Sequence, residues 1–200
     1  SPFLTKYPRG ARQVLNLFED FRIDEIMAKA YSGAEDIYAL NKDALYAEAT
    51  KHFTAAEAMR KAVMEALWKT IREKSGKEQT DAQKKLNELT KTPMLGEYCG
   101  EICYRGNGLP PLTYSDRQKL LADYVAKTFP AVEKVKTAKD TQGVAAILDR
   151  DVYPHIEDLL KEYEANADKS EPQEIMVRVM PIGNGDGDDT PRKSYAELTQ

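Results

Sequence analysis

The chain has 200 residues, 42% of them hydrophobic, with 29 basic and 33 acidic side chains. That is enough apolar material for one domain to bury a core without disulfide or metal staples. The net charge of −4 lacks the clustered basic excess of a nucleic-acid binder. No stretch approaches the ~18 consecutive apolar residues of a bilayer-spanning helix, so any membrane association is expected to run through partners.

Ser1 to Gly10 reads as an extended N-terminal arm, because Pro2 and Pro8 interrupt helix and leave Phe3, Leu4 and Tyr7 to dock on another protein. The first 18 residues carry Lys6, Arg9 and Arg12 and no acid, a pattern of residues flanking a removed organellar presequence. A first helix follows, with Val14, Leu15, Phe18, Phe21, Ile26 and Met27 at helical spacing up to the Ser32-Gly33 break.

From Gly33 to Ser75 the chain has no proline and no internal glycine, and its periodicity predicts one continuous helix of 43 residues. At ~1.5 Å per residue this is a rod of roughly 64 Å. Its stripe through Leu45, Ala49, His52, Ala56, Met59, Val63 and Leu67 steps by three and four residues, as a helix-pairing seam does. Ser75-Gly76 ends the rod, with Lys69, Arg72 and Lys74 favourably placed at a helix C-terminus. A short helix is expected over Thr80 to Leu89.

Residues 91–114 gather Pro93, Gly96, Gly100, Gly106, Gly108, Pro110 and Pro111 among Met94, Leu95, Tyr98, Ile102, Tyr104 and Leu109. This reads as an irregular apolar loop that packs across helices or into a neighbouring subunit. The second helical half, residues 115–166, starts at the Ser115 cap, restarts at Pro130 and again at Asp140, and is kinked by Pro154. Its apolar positions Val144, Ile147, Leu148, Val152, Ile156, Leu159, Leu160 and Tyr163 form a face suited to the long rod.

Beyond Pro172, Ile175, Val177 and Val179 alternate with Met176, Arg178 and Met180 in a strand-like pattern with no second strand to pair with. The segment 171–200 is therefore expected to be an extended tail ordered by a partner surface. The organisation expected is all-α: an N-terminal arm (1–10), one elongated helical domain (11–170) and the tail.

Few residues suggest chemistry. Cys99 and Cys103 are spaced C-x3-C; a local disulfide is one reading and a pair of buried thiols the favoured one. Neither His52 nor His155 has a glutamate three residues before it, as a di-iron bundle needs, or a nearby Ser or Cys in a nucleophile motif. Asn184, Asp186 and Asp188 alternate like calcium ligands, but Asp189 stands where the loop needs glycine and Tyr195 where it needs glutamate. Gly183, Gly185 and Gly187 lack the βαβ setting of a dinucleotide site.

No catalytic, cofactor or metal set is expected. The chain reads as a non-catalytic, stalk- or scaffold-like subunit of a large assembly, with a mitochondrial energy-converting complex as its setting. Its contacts with other protein subunits are assigned to Phe3, Leu4, Tyr7, Met94, Leu95, Tyr104, Ile175, Val177 and Val179. The alternative is an extracellular or cell-surface helical binding protein that presents the 91–114 loop at its tip.

Overall fold

The computed structural model describes residues 1–109 and 118–167. Among them every regular element is helical: α1 (Pro2–Lys6), α2 (Pro8–Ala30), α3 (Ala34–Leu40), α4 (Lys42–Glu73), α5 (Lys77–Leu89), α6 (Leu95–Gly106), α7 (Gln118–Thr128), α8 (Pro130–Lys136), α9 (Thr141–Asp151), a 3-10 turn at Tyr153–His155 and α10 (Glu157–Ala167). The all-α class expected from periodicity is the one that forms. The strand-like 174–180 pattern and the tail lie outside the described residues.

The early prolines start helices instead of preventing them. Pro2 and Pro8 sit in the first turns of α1 and α2, where a missing N–H is no loss and φ is already set. Ser1 caps α1 by accepting the Leu4 N–H at 3.2 Å, and its hydroxyl donates to Asp149 Oδ1 at 2.6 Å. Lys6 Nζ and the Tyr7 hydroxyl both donate to Glu157 Oε1, at 2.6 and 2.8 Å. The Arg9 and Gly10 amides donate to Glu164 Oε1, at 2.6 and 2.8 Å, so α10 places a carboxylate on the N-terminus of α2. Tyr7 is buried, and the Phe3 ring stands 5.3 Å from that of Tyr153. Residues 1–10 are thus not an extended arm; they are helical and fastened to the chain's own last helices.

The 91–114 segment also departs from expectation over its described part, 91–109, while 110–114 lie outside the described residues. Its centre is α6, which buries residues on every side: Leu95, Glu97, Tyr98, Cys99, Glu101, Ile102, Cys103 and Tyr104. One side of α6 meets α4; the others meet α2, α7 and α10. Gly96 and Gly100 permit this. A Cβ at Gly96 would lie 2.9 Å from both the Ala56 Cβ and the His52 carbonyl oxygen, and one at Gly100 would lie 3.0 Å from the Ala49 carbonyl oxygen and within the Phe53 ring's space. The two glycines, one turn apart, let the backbones of α4 and α6 approach where any side chain would hold them apart. Gly106 similarly makes room for the Phe21 ring of α2.

The long rod is interrupted once, at Asn41, between α3 and the 32-residue α4. The residues of α4 that bury are Ala49, Phe53, Ala56 and Arg60, with His52 and Met59 half-buried beside them. Its partners are α6 and α5, the latter through Ala82, Leu86 and Leu89. The expected pairing of α4 with the Ile147, Ile156 and Leu159 face does not occur, because α6 holds that place; α9 and α10 instead pack on α2, and α9 also on α8. Pro154 sits in the 3-10 turn that separates α9 from α10, a break where a kink was expected.

A buried ion pair locks the α4–α6 crossing. Glu97 accepts the Met94 N–H at 2.7 Å, capping α6, and accepts from Arg60 Nη2 at 2.9 Å; Arg60 also reaches Glu57 at 3.3 Å. Burial holds the Glu97 carboxyl above the usual carboxylate range, against the pull of the Met94 amide and the Arg60 charge.

Two outcomes test this crossing. Gly96→Ala and Gly100→Ala should each destabilise by about 1–3 kcal/mol through overpacking. Gly143→Ala, whose Cβ would find its nearest neighbour at 3.5 Å, should be neutral or stabilise by up to ~1 kcal/mol in thermal or urea unfolding. Arg60→Ala should cost about 3–5 kcal/mol at pH 7 by leaving a buried carboxylate without its cation. Without that cation the folded-state pKa of Glu97 rises further above its unfolded value of about 4.3, so the penalty for ionisation grows as pH rises through this window. The stability gap between Arg60→Ala and the parent should therefore be smaller at pH 4.5 than at pH 7 by urea titration; an equal gap would remove the charge from the explanation.

Candidate interaction surface

The side chains singled out in the sequence are mostly consumed inside the fold. Tyr7, Met94, Leu95 and Tyr104 are buried, and Phe3 and Leu4 pack against the core from its edge. Their apolar character has its account within the chain. Tyr104 also stacks edge-on with Tyr46 at 5.4 Å between centroids. Ile175, Val177 and Val179 lie outside the described residues.

Cys99 and Cys103 on α6 are buried as free thiols, without the disulfide considered above. Burial pushes the Cys99 thiol far up, and it pushes Cys103 up to about 11, with the charges of Glu48 and Asp20 adding to the effect. Both are protonated at neutral pH and poor nucleophiles. His52 is held below its usual range by burial, hence neutral, on α4, while His155 is exposed in the 3-10 turn. The arrangement does not bring the two histidines and two cysteines into one site, and among the described residues no group of His, Cys, Asp and Glu is placed to hold a metal ion.

Two concave regions flank α5. Between α5 and α10 lies a cleft of about 640 Å³ whose walls alternate Asp81, Glu88, Asp158 and Glu162 with Lys84, Lys85 and Lys161. Opposite charges at this density largely compensate one another, leaving a net of one acid across the cleft. The second is an apolar groove of about 320 Å³ along α4, walled by Met59, Val63, Ala66 and Leu67 and closed by Lys85 and Asn166.

What the fold leaves uncovered is an apolar face at the junction of α2, α3 and α4. Val14, Phe18 and Phe21 point α2 into the core, whereas Ile23, Ile26 and Met27 fall on the opposite side of the helix, roughly 180° away at ~100° per residue. Those three are between 43% and 46% exposed, followed by Tyr31 at 61% and, across the Gly33 turn, Ile37 at 58% and Leu40 at 83%. Gly33, at φ 90°, takes the left-handed conformation in the turn that joins the two helices. Six large exposed apolar side chains between Ile23 and Leu40 are a concentration along the chain beyond the scattered exposed apolar residues of an ordinary surface. Residues 19–48, the stretch of sequence that holds these side chains, carry eight acids against three bases.

This face escaped the sequence reading, which placed Ile26 and Met27 on the core stripe of the first helix. Their angular offset from Val14, Phe18 and Phe21 was the available signal. No helix among the described residues is long and apolar enough to cross a membrane. Compared with known proteins, the chain matches no family model, no curated protein and no solved structure.

Proposed function

We propose that this protein is an accessory or scaffold subunit that docks on another polypeptide through the α2–α3 face. The observation that supports this most is the second apolar side of α2, Ile23, Ile26 and Met27, turned away from a core that Val14, Phe18 and Phe21 already complete. An amphipathic helix needs one apolar stripe to fold; a second one is exposed at a cost unless something covers it. The acidic excess of residues 19–48 sets the chemistry of the partner: an apolar strip flanked by Lys or Arg.

A mitochondrial energy-converting assembly is the setting proposed for this subunit. The alternative of a surface binder displaying residues 91–114 has less support, since α6 lies at the centre of the bundle.

Ile26→Asp/Leu40→Asp should leave helicity and unfolding within about 0.5 kcal/mol of the parent, as changes at exposed positions do. The same variant should lose its partners in affinity purification from the native source, read by native mass and peptide identification. Unchanged co-purification with intact folding would sink this reading, whereas Gln83→Asp on the exposed side of α5 should purify as the parent does.

A further inference from the structure

The end of α6 holds a covalently labile pair of residues. Asn107–Gly108 is one of two Asn-Gly pairs in the chain; the other, Asn184–Gly185, lies outside the described residues. At such a pair the backbone nitrogen of the glycine can attack the asparagine Cγ, because a glycine without Cβ leaves the approach open. The attack closes a five-membered imide: a new C–N bond replaces the bond to the side-chain amide nitrogen, which departs as ammonia. Water then opens the imide at either carbonyl, giving aspartate or isoaspartate. One water is consumed, one ammonia is released, and nothing is oxidised or reduced.

In the closed fold this reaction has no route. Asn107 is the C-cap of α6, and Gly108, at φ 72°, follows it in the left-handed region. The Gly108 N–H donates to the Arg105 carbonyl at 2.9 Å and the Leu109 N–H to the Tyr104 carbonyl at 3.0 Å, the paired bonds of a Schellman ending, with Leu109 packed against the core. The attacking nitrogen is thereby engaged. At an Asn107 ψ of 13° it is also turned towards the backbone nitrogen of Asn107 and away from the Cβ that bears the amide. The amide itself is fixed, since Nδ2 donates to the Cys103 carbonyl at 2.8 Å and lies 3.7 Å from the Cys103 Sγ. One turn makes all of these restraints, so a single local opening releases them together, and Gly108 is exposed to the water that the reaction needs.

We propose that Asn107–Gly108 is a site of spontaneous covalent modification gated by the end of α6: inert while the last turn is closed, and converted to aspartate or isoaspartate when that turn opens. The product does not suit the closed state. A carboxylate at position 107 has no proton to donate to the Cys103 carbonyl, stands at the negative end of the α6 dipole, and joins Glu48, Asp20 and Asp24, whose charges already act on Cys103. Arg105, the basic residue of the same turn, is taken by Glu101. Isoaspartate also lengthens the main chain by one methylene and breaks the register of the Schellman bonds. Each conversion therefore favours the opening that allowed it, and leaves an irreversible record of it. The α2–α3 face plays no part, so this inference stands or falls separately from the proposed function.

Incubation of the unaltered full-length chain at neutral pH is the first test, with conversion at Asn107 read by peptide mapping and isoaspartate detection. Conversion should be slower by roughly tenfold or more than in the same chain unfolded in guanidinium. Through subdenaturing guanidinium it should rise by the same factor as the amide exchange of Leu109. Equal rates in the folded and unfolded chain, or conversion that does not follow Leu109 exchange, would overturn the gate. A pair of variants supplies the second test. Asn107→Asp introduces the product carboxylate, whereas Asn107→Ser removes the amide without adding charge. Asn107→Asp should raise the unfolding equilibrium constant in urea about threefold or more above that of Asn107→Ser at neutral pH. Two variants of equal stability would overturn the claim that the product favours the open turn.

Discussion

The close approach of α4 and α6 is the constraint on which the rest of the bundle depends. Gly96 and Gly100 remove the side chains that would separate the two backbones, and Ala49, Phe53 and Ala56 fill the space from the other side. Once the helices are this close, Arg60 and Glu97 lie within hydrogen-bonding distance in an almost dry place, where the Met94 amide and the guanidinium together make ionisation tolerable. The crossing also sets the roll of α6 about its axis. With its glycines committed to α4, Tyr98, Cys99 and Ile102 are directed into the core shared with α2, α8, α9 and α10.

That core is closed from the other end by carboxylates. Asp149, Glu157 and Glu164, one on α9 and two on α10, receive Ser1, Lys6, Tyr7 and the first amides of α2. The Tyr153 hydroxyl adds a buried bond to the Ala11 carbonyl at 2.8 Å. Several are charge-assisted, and together they fix the angle at which α2 enters the bundle. This angle turns its second apolar side outward, away from every element that buries the first.

Local signals carried far in this sequence. Ser32-Gly33, Ser75-Gly76 and Pro130 mark helix boundaries that form, and Asp140 caps α9 by accepting the Gly143 N–H at 2.9 Å. Val14, Phe18 and Phe21 are core residues as their spacing implies. The failures share one cause: residues with two meanings were assigned the local one. Gly96 and Gly100 weaken an isolated helix, yet in a packed pair they create the contact that stabilises it. Pro2 and Pro8 stop a helix only when they fall inside it. The stripe on α4 was legible at Ala49 and Ala56, but its rotation towards Phe53 and Arg60 depends on the partner helix, which spacing alone does not reveal. The interaction face shows the same limit, since an apolar residue at helical spacing is assigned to the core until a helical wheel shows it on the far side.

The pairing of the first helices with the last has a consequence for how the chain acquires its fold. Helix α2 finds its neighbours in α8, α9 and α10, more than a hundred residues later. On a ribosome adding about 5–20 residues per second, the apolar side of α2 is made many seconds before any of those partners exists. During this interval both apolar sides of the helix are exposed, not only the one left open in the finished bundle. Loop closure over such a separation is also entropically slow. The α4–α5–α6 unit, whose contacts are closer along the chain, is therefore the part equipped to fold first.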